Sequence, residues 1–175
     1  MSGRHPRQRG EIGVDRPGPR RAARLAAVQA LYQMTIAGLD AEMVVAEFVG
    51  FRLGRPEEGL DPGPADEVFF AELVRGVSAH RDELDNMIAG VLSEEWSIDR
   101  LEAILRQILR AGAFELAHSN DTPARSIITE YLALAEAFFG GRVPGLVNGV
   151  LDRLARSVRP LELEKSGRDR TATTG

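Results

Sequence analysis

The amino-acid sequence predicts an all-α protein, folded as a compact bundle of about seven helices. Three observations predict it. Between residues 18 and 160 the apolar residues recur at spacings of three and four, which places them on one face of a helix. No segment shows the alternating pattern of a half-buried β-strand. The chain has 175 residues, of which 43% are hydrophobic, and this is enough for one domain with a single core.

The first two predicted helices precede a long loop. Helix one is predicted near residues 18–38, and a shorter helix near 40–50 follows Asp40, a residue type that often caps helix N-termini. The stretch 54–64 holds three glycines and three prolines, which break regular structure, so it is interpreted as a loop insertion within one domain. The predicted buried stripe of helix one consists of Leu25, Val28, Tyr32, Thr35, Ile36 and Leu39.

Three helices are predicted in the middle of the chain. Apolar residues at helical spacing mark two of them, through residues 68–77 and 84–92. Ser97 is predicted to cap the third, because Trp96 and Leu101 have the spacing of a hydrophobic staple across its first turn. Gly112 lies within the apolar face of this third helix, which predicts that another helix approaches closely there.

Two more helices complete the predicted bundle. Thr122-Pro123 is interpreted as the N-cap and first residue of one helix, which Gly140-Gly141 ends. The last helix is predicted around residues 146–154. The flanking segments 1–17 and 161–175 are polar, so they are predicted to form a disordered basic arm and a flexible tail around a single domain over residues 18–160.

The sequence carries no motif of an enzyme or of a cofactor site. A phosphate-binding loop and a dinucleotide fingerprint are both absent. His5, His80 and His118 are far apart and form no HExxH-type pair, so His80 and His118 are interpreted as surface residues or residues of helix C-terminal turns. The lack of cysteine excludes thiolate metal sites and fits a cytoplasmic protein. We therefore predict no catalytic residue, no metal, no cofactor and no membrane-spanning helix.

Positive charge is concentrated at the N-terminal end of the chain. Residues 1–24 carry seven arginines against two acids, whereas residues 40–99 carry fifteen acids against four arginines. Such asymmetry favours a polyanion site at one end and a basic partner elsewhere. The alternative interpretation is that a basic tail and an acidic surface serve only to keep the protein in solution.

Three arginines, Arg20, Arg21 and Arg24, occupy the first turns of the first predicted helix. Because a helix N-terminus already carries partial positive charge, cations there are mildly destabilising. The arginines therefore suggest an anion supplied from outside, and phosphate suits both guanidinium groups and the free N–H groups of a helix N-terminus. The alternative is that the helix begins later and the arginines are simply solvated.

Five segments together resemble the NusB family of transcription antitermination factors. They are RRAARLAAVQALY at 20–32, WSIDRLEAILRQILRAGAFEL at 96–116, DTP at 121–123, ITE at 128–130 and LVNGVLD at 146–152. Their order is that of the family, and together they cover most of residues 20–160. The sequence is therefore identified as a member of this family, although Thr129, Leu146 and Phe114 differ from the residues usual at those positions.

The resemblance implies two packed helical subdomains and a non-enzymatic role. It implies binding of a boxA-type RNA together with the ribosomal protein NusE, within an RNA polymerase antitermination complex that supports rRNA transcription. By position, Arg20, Arg21 and Arg24 correspond to the RNA-contacting turn, and Tyr32 lies near the partner surface. Gln29 is expected either to read a base edge or to make a structural hydrogen bond. The acidic middle region would suit a basic ribosomal protein.

Two alternatives stay open on the sequence. One is an RNA-recruitment module of an rRNA-modifying complex, because a NusB-like domain also precedes rRNA methyltransferases; we expect no binding of S-adenosylmethionine here. The other is a protein-interaction domain without RNA binding. The sequence leaves open whether the protein is a monomer or a homodimer.

Overall fold

The computed structural model describes residues 18–55 and 63–164 of the chain. The predicted arm at 1–17, most of the predicted insertion at 54–64 and residues 165–175 lie outside the described residues. Within the described ranges the chain is helical and contains no β-strand, so the all-α prediction is confirmed. The α-helices are α1 (Pro19–Ala37), α2 (Ala41–Glu47), α3 (Glu67–Ala79), α4 (Arg81–Val91), α5 (Ala103–His118), α6 (Ala124–Phe138) and α7 (Val143–Val158).

The helices form two groups that share one continuous core. Helices α1, α2 and α3 pack on one another, and α4, α5, α6 and α7 form the second group. Helices α1 and α3 both pack against α5, so α5 joins the two groups. The predicted arrangement of two packed helical subdomains is therefore confirmed. No described helix combines the length and the apolar character that crossing a membrane requires.

The buried face of α1 is lined mainly by small residues. Ala23, Ala27 and Ala30 are fully buried together with Val28, because α1 lies between α3 and α5. Small side chains at a helix contact allow a short interaxial distance. The predicted stripe of larger residues is wrong in part, since Ile36 is 64% exposed to solvent. An alanine-rich face offers few large apolar residues from which its direction can be predicted.

Two predicted helix starts are shifted in the structure. Ser97 does not cap a helix: a single 3₁₀ turn over Ile98–Arg100 follows it, and α5 begins only at Ala103. Helix α6 begins one residue later than predicted, with Pro123 as its N-cap residue. The cap comes from a distant side chain, because the N–H of Ala124 donates to Glu162 Oε1 at 2.5 Å.

The chain remains ordered beyond the predicted start of the tail. Residues 160–164 are helical, and Leu163 packs against the core, so the predicted boundary at 161 is too early. Arg159 anchors this end. Its guanidinium donates to the carbonyl oxygens of Glu115, Leu116 and Thr122 at 2.8–2.9 Å, and to that of Ser119. It thereby adds donors to carbonyl groups in the last turn of α5, where most carbonyls lack an N–H partner within the helix.

Gly112 lies at the contact between α5 and α7. A Cβ atom at this position would lie 2.9 Å from both Cδ atoms of Leu151 and 3.3 Å from the Tyr131 ring. The prediction that Gly112 allows close approach of another helix is confirmed.

Candidate nucleic-acid interface

The first turn of α1 is held in place by the start of α3. Pro19 occupies the first helical position, where its fixed φ suits the helix and its missing N–H costs nothing. The backbone N–H of Asp66 donates to the Pro19 carbonyl at 3.0 Å. Because the helix begins at Pro19, Arg20 and Arg21 lie in its first turn as predicted, and the alternative of a later start is wrong.

Arg20 reaches the loop between α5 and α6. It donates to Asp121 Oδ2 at 2.8 Å and to the Thr122 hydroxyl at 3.2 Å, while Asp66 lies 3.9 Å away. Its guanidinium also lies over the Phe69 ring, 4.7 Å from the centroid. The hydrogen bond from Arg20 holds the pKa of Asp121 well below its usual range. The Arg20 side chain is 43% exposed, so solvent still reaches it.

Arg21 forms a two-point ion pair with α6. Its Nε and Nη2 atoms donate to the two carboxylate oxygens of Glu130, each at 2.9 Å. This hydrogen bonding lowers the pKa of Glu130. The side chain of Arg21 is 52% exposed, so the ion pair lies at the surface.

Arg24 lies beneath the surface. It donates to both oxygens of Glu115 at 2.8 Å, and its side chain is only 5% exposed. The Tyr131 hydroxyl donates to the same carboxylate at 2.5 Å, and burial beside this anion raises the Tyr131 pKa well above its ordinary value. The expectation that Arg24 contacts RNA does not agree with its burial, and we reassign it to positioning α1 against α5.

An open cleft of about 550 Å³ runs along the start of α1. It is lined by Gly18, Pro19, Arg20, Arg21, Arg24, Asp66 and Glu130. The sequence pattern does not reveal the carboxylate partners of the arginines. Each partner lies far along the chain, 91 residues from Arg24, 101 from Arg20 and 109 from Arg21. The inference that the arginines need an external anion is therefore corrected: acids of the α5–α6 region supply the opposite charge. A phosphate at this cleft would compete with them.

Gln29 and Tyr32 lie on the exposed side of α1. At 3.6 residues per turn, Arg21, Gln29, Tyr32 and Ile36 fall within about 80° of one another around the helix. All four are exposed, and Tyr32 is 40% exposed. These four residues form an exposed strip along α1, which runs from Arg21 at the N-terminal end to the apolar Ile36 near the C-terminal end. Whether Gln29 reads a base and Tyr32 binds a partner stays a prediction.

Two histidines that were not predicted to meet lie together elsewhere in the structure. His80 directly follows α3 and His118 is the last residue of α5, so both lie at helix C-termini as expected. Their ring centroids are only 4.5 Å apart. Their separation of 38 positions in the sequence gave no local signal.

Comparison with known proteins identifies the family. The model of the NusB family matches residues 21–156. The transcription antitermination protein NusB of Caulobacter vibrioides is 46% identical over 141 residues, which span 81% of this chain and 95% of that protein. The NusB protein of Maricaulis maris is 48% identical over 143 residues, spanning 82% and 89% of the two chains.

Solved structures agree with the sequence comparison. NusB of T. maritima superimposes with a TM-score of 0.68 at 28% identity, covering 84% of this chain and 98% of that one. A structure described as antitermination factors NusB and NusE in complex with dsRNA matches with a TM-score of 0.64 at 25% identity, covering 78% and 96%. The sequence resemblance is confirmed, and the chain belongs to the NusB family.

Proposed function

We propose that this chain is a transcription antitermination factor, without enzymatic activity, that binds boxA-type RNA together with NusE. The observation that carries the proposal is family membership over residues 21–156, at 46–48% identity to two proteins named for transcription antitermination. A structural neighbour that contains NusB, NusE and double-stranded RNA supports both partners. The wider role is in an RNA polymerase complex during rRNA transcription, in the cytoplasm where bacterial transcripts are made.

The RNA site that we propose is the start of α1. Arg20 and Arg21 present planar guanidinium groups at the surface, each already oriented by a carboxylate. The phosphodiester groups of RNA match the same two-point geometry and, like a carboxylate, carry one negative charge each, so RNA can compete with Asp121 and Glu130 for the two guanidinium groups. Arg24 fixes the helix from below, and the arginines of residues 1–17 add positive charge. Gln29 lies next along the exposed side of α1.

The partner site that we propose is the far end of the same exposed strip. Tyr32 and Ile36 are exposed there, and Met43 in α2 is 58% exposed. Exposed apolar side chains near the polar RNA site are suited to a protein partner that binds beside the RNA. This arrangement lets one helix contact both ligands.

The near balance of charge around the arginines favours one alternative function, that of a protein-interaction module. Such a module, including one that recruits RNA-modifying enzymes, would need no net positive surface there. Fluorescence anisotropy with a labelled boxA-like RNA and a scrambled RNA, with and without NusE, separates the two functions. We expect preference for boxA that NusE strengthens. Binding of NusE with no RNA contribution from this chain would leave only the protein-interaction function.

A further inference from the structure

Two histidines and a glutamate meet at the junction of three helices, away from the arginine cleft. His80 lies between α3 and α4, Glu83 is in the first turn of α4, and His118 is the last residue of α5. One ligand atom from each of the three side chains lies within 4.8 Å of the other two. His118 Nε2 and Glu83 Oε1 are already 3.7 Å apart.

The His80 ring is oriented by the backbone. Its Nδ1 lies 2.9 Å from the carbonyl oxygen of Gly76. A carbonyl oxygen only accepts hydrogen bonds, so Nδ1 carries the proton and the neutral ring presents the lone pair of Nε2. Metal-bound histidines show the same arrangement, in which one ring nitrogen donates to a backbone carbonyl and the other binds the ion.

An apolar wall supports one side of the cluster. The Phe114 ring packs against His118 with centroids 4.9 Å apart, and against His80 at 5.8 Å. Phe114 itself is held over Gly76, where a Cβ atom would overlap its ring. The other side opens to solvent through a cleft of about 370 Å³ that residues 78–83 line. The cluster therefore has one fixed ligand, a rigid wall and an entry path.

We propose that His80, Glu83 and His118 bind a divalent first-row transition metal ion, Zn²⁺ in the first instance, with water completing the coordination. Two imidazoles and one carboxylate suit this class of ion, whereas Mg²⁺ and Ca²⁺ prefer oxygen ligands alone. In tetrahedral zinc sites the ligand atoms lie roughly 3.3 Å apart, so these side chains must close by about 1.5 Å. Glu83 and His118 are exposed and can make that movement while His80 stays in place.

The site would tie the end of α5 to the start of α4. The ion binds the folded chain, in which the three side chains are together, so it should stabilise the fold. At zinc one hundredfold above its dissociation constant, the melting temperature should rise by about 5–10 °C. This inference does not depend on the proposed RNA function, because none of its ligands touches the arginine cleft.

The test is a Co²⁺ titration of the untagged full-length chain after removal of metal with a chelator. We expect visible absorption of tetrahedral Co²⁺ that saturates at one ion per chain and is displaced by Zn²⁺. His118→Gln and Glu83→Gln should each weaken binding at least tenfold, while His5→Gln and Glu94→Gln serve as matched controls and bind normally. His118 and Glu83 are exposed, so their variants should melt like the parent chain without metal.

Three results would overturn the metal site. They are no saturable binding, full binding by the His118→Gln variant, and loss of binding in His5→Gln alone. If one of the two ligand variants fails to fold, its melting curve without metal identifies it. Metal binding by the other ligand variant then tests the site.

Discussion

Replacing Glu130 with glutamine should strengthen RNA binding, because the Glu130 carboxylate is bound to the Arg21 guanidinium group that we propose contacts RNA. The pair is joined by two hydrogen bonds of 2.9 Å, with the Arg21 side chain 52% exposed. A surface ion pair of this kind contributes about 0–1 kcal/mol. RNA must displace it, so Glu130→Gln should tighten binding by up to about fivefold, since 1.4 kcal/mol corresponds to a factor of ten.

Anisotropy titrations with boxA-like RNA measure this effect, and a double-mutant cycle assigns it to the pair. Glu130→Gln should have no effect once Arg21 is replaced by glutamine, because the competing partner is then absent. Glu136→Gln is the matched control, as Glu136 is an exposed acid on the same helix. Unchanged or weaker RNA binding by a folded Glu130→Gln variant would refute the competition between carboxylate and phosphate.

Three further predictions concern stability. Arg24→Leu should lower the free energy of unfolding in urea by about 3–5 kcal/mol, because it leaves Glu115 as an unpaired buried charge. Adding Glu115→Leu should restore much of this loss. A double variant whose loss equals the sum of the two single losses would contradict the buried ion pair. Gly112→Ala should lower stability by about 1–2 kcal/mol through overpacking against α7, whereas Gly90→Ala in α4, where a Cβ meets nothing within 4 Å, should raise it by roughly 0.5–1 kcal/mol. Because the pKa of Glu130 is lowered from 4.5, its ion pair stabilises the fold above that pH and the contribution disappears as pH falls through the lower folded-state pKa. The stability difference between the parent chain and Glu130→Gln should therefore be present at pH 7 and vanish in acid, and a constant difference would count against the ion pair.

Helical periodicity was sufficient to predict the fold class and the approximate position of each helix. Residues with large apolar side chains on one face, such as Leu105 and Leu109 in α5, make that signal strong. The direction of α1 was wrong in part because its buried face consists mainly of alanines, which carry little hydrophobic contrast. The start of α5 was wrong because a 3₁₀ turn over Ile98–Arg100, which has no side-chain cap, precedes the helix, so the spacing of Trp96 and Leu101 does not mark its first turn.

For the candidate site, the sequence predicted the arginines but not the residues that they contact. Arg20 and Arg21 were predicted to lie at a helix N-terminus, and the structure agrees. The sequence did not predict that Arg24 is buried, or that carboxylates of α5, of α6 and of the loop between them bind the three arginines. Those partners are brought together by helix packing, and no local pattern records contacts between residues so distant in sequence. The pairing of His80 with His118 escaped prediction for the same reason.

The salt dependence of RNA binding tests the central claim most directly, because each phosphate contact contributes to it. For single-stranded RNA, the logarithm of the binding constant falls against the logarithm of salt concentration by about 0.7 per phosphate contacted. With NusE present, Arg20→Gln combined with Arg21→Gln should reduce that slope by about 1.4, whereas Arg156→Gln, at an exposed arginine paired with Asp152 on α7, should leave it unchanged. Equal slopes for the parent chain and both variants would contradict an RNA site at the start of α1.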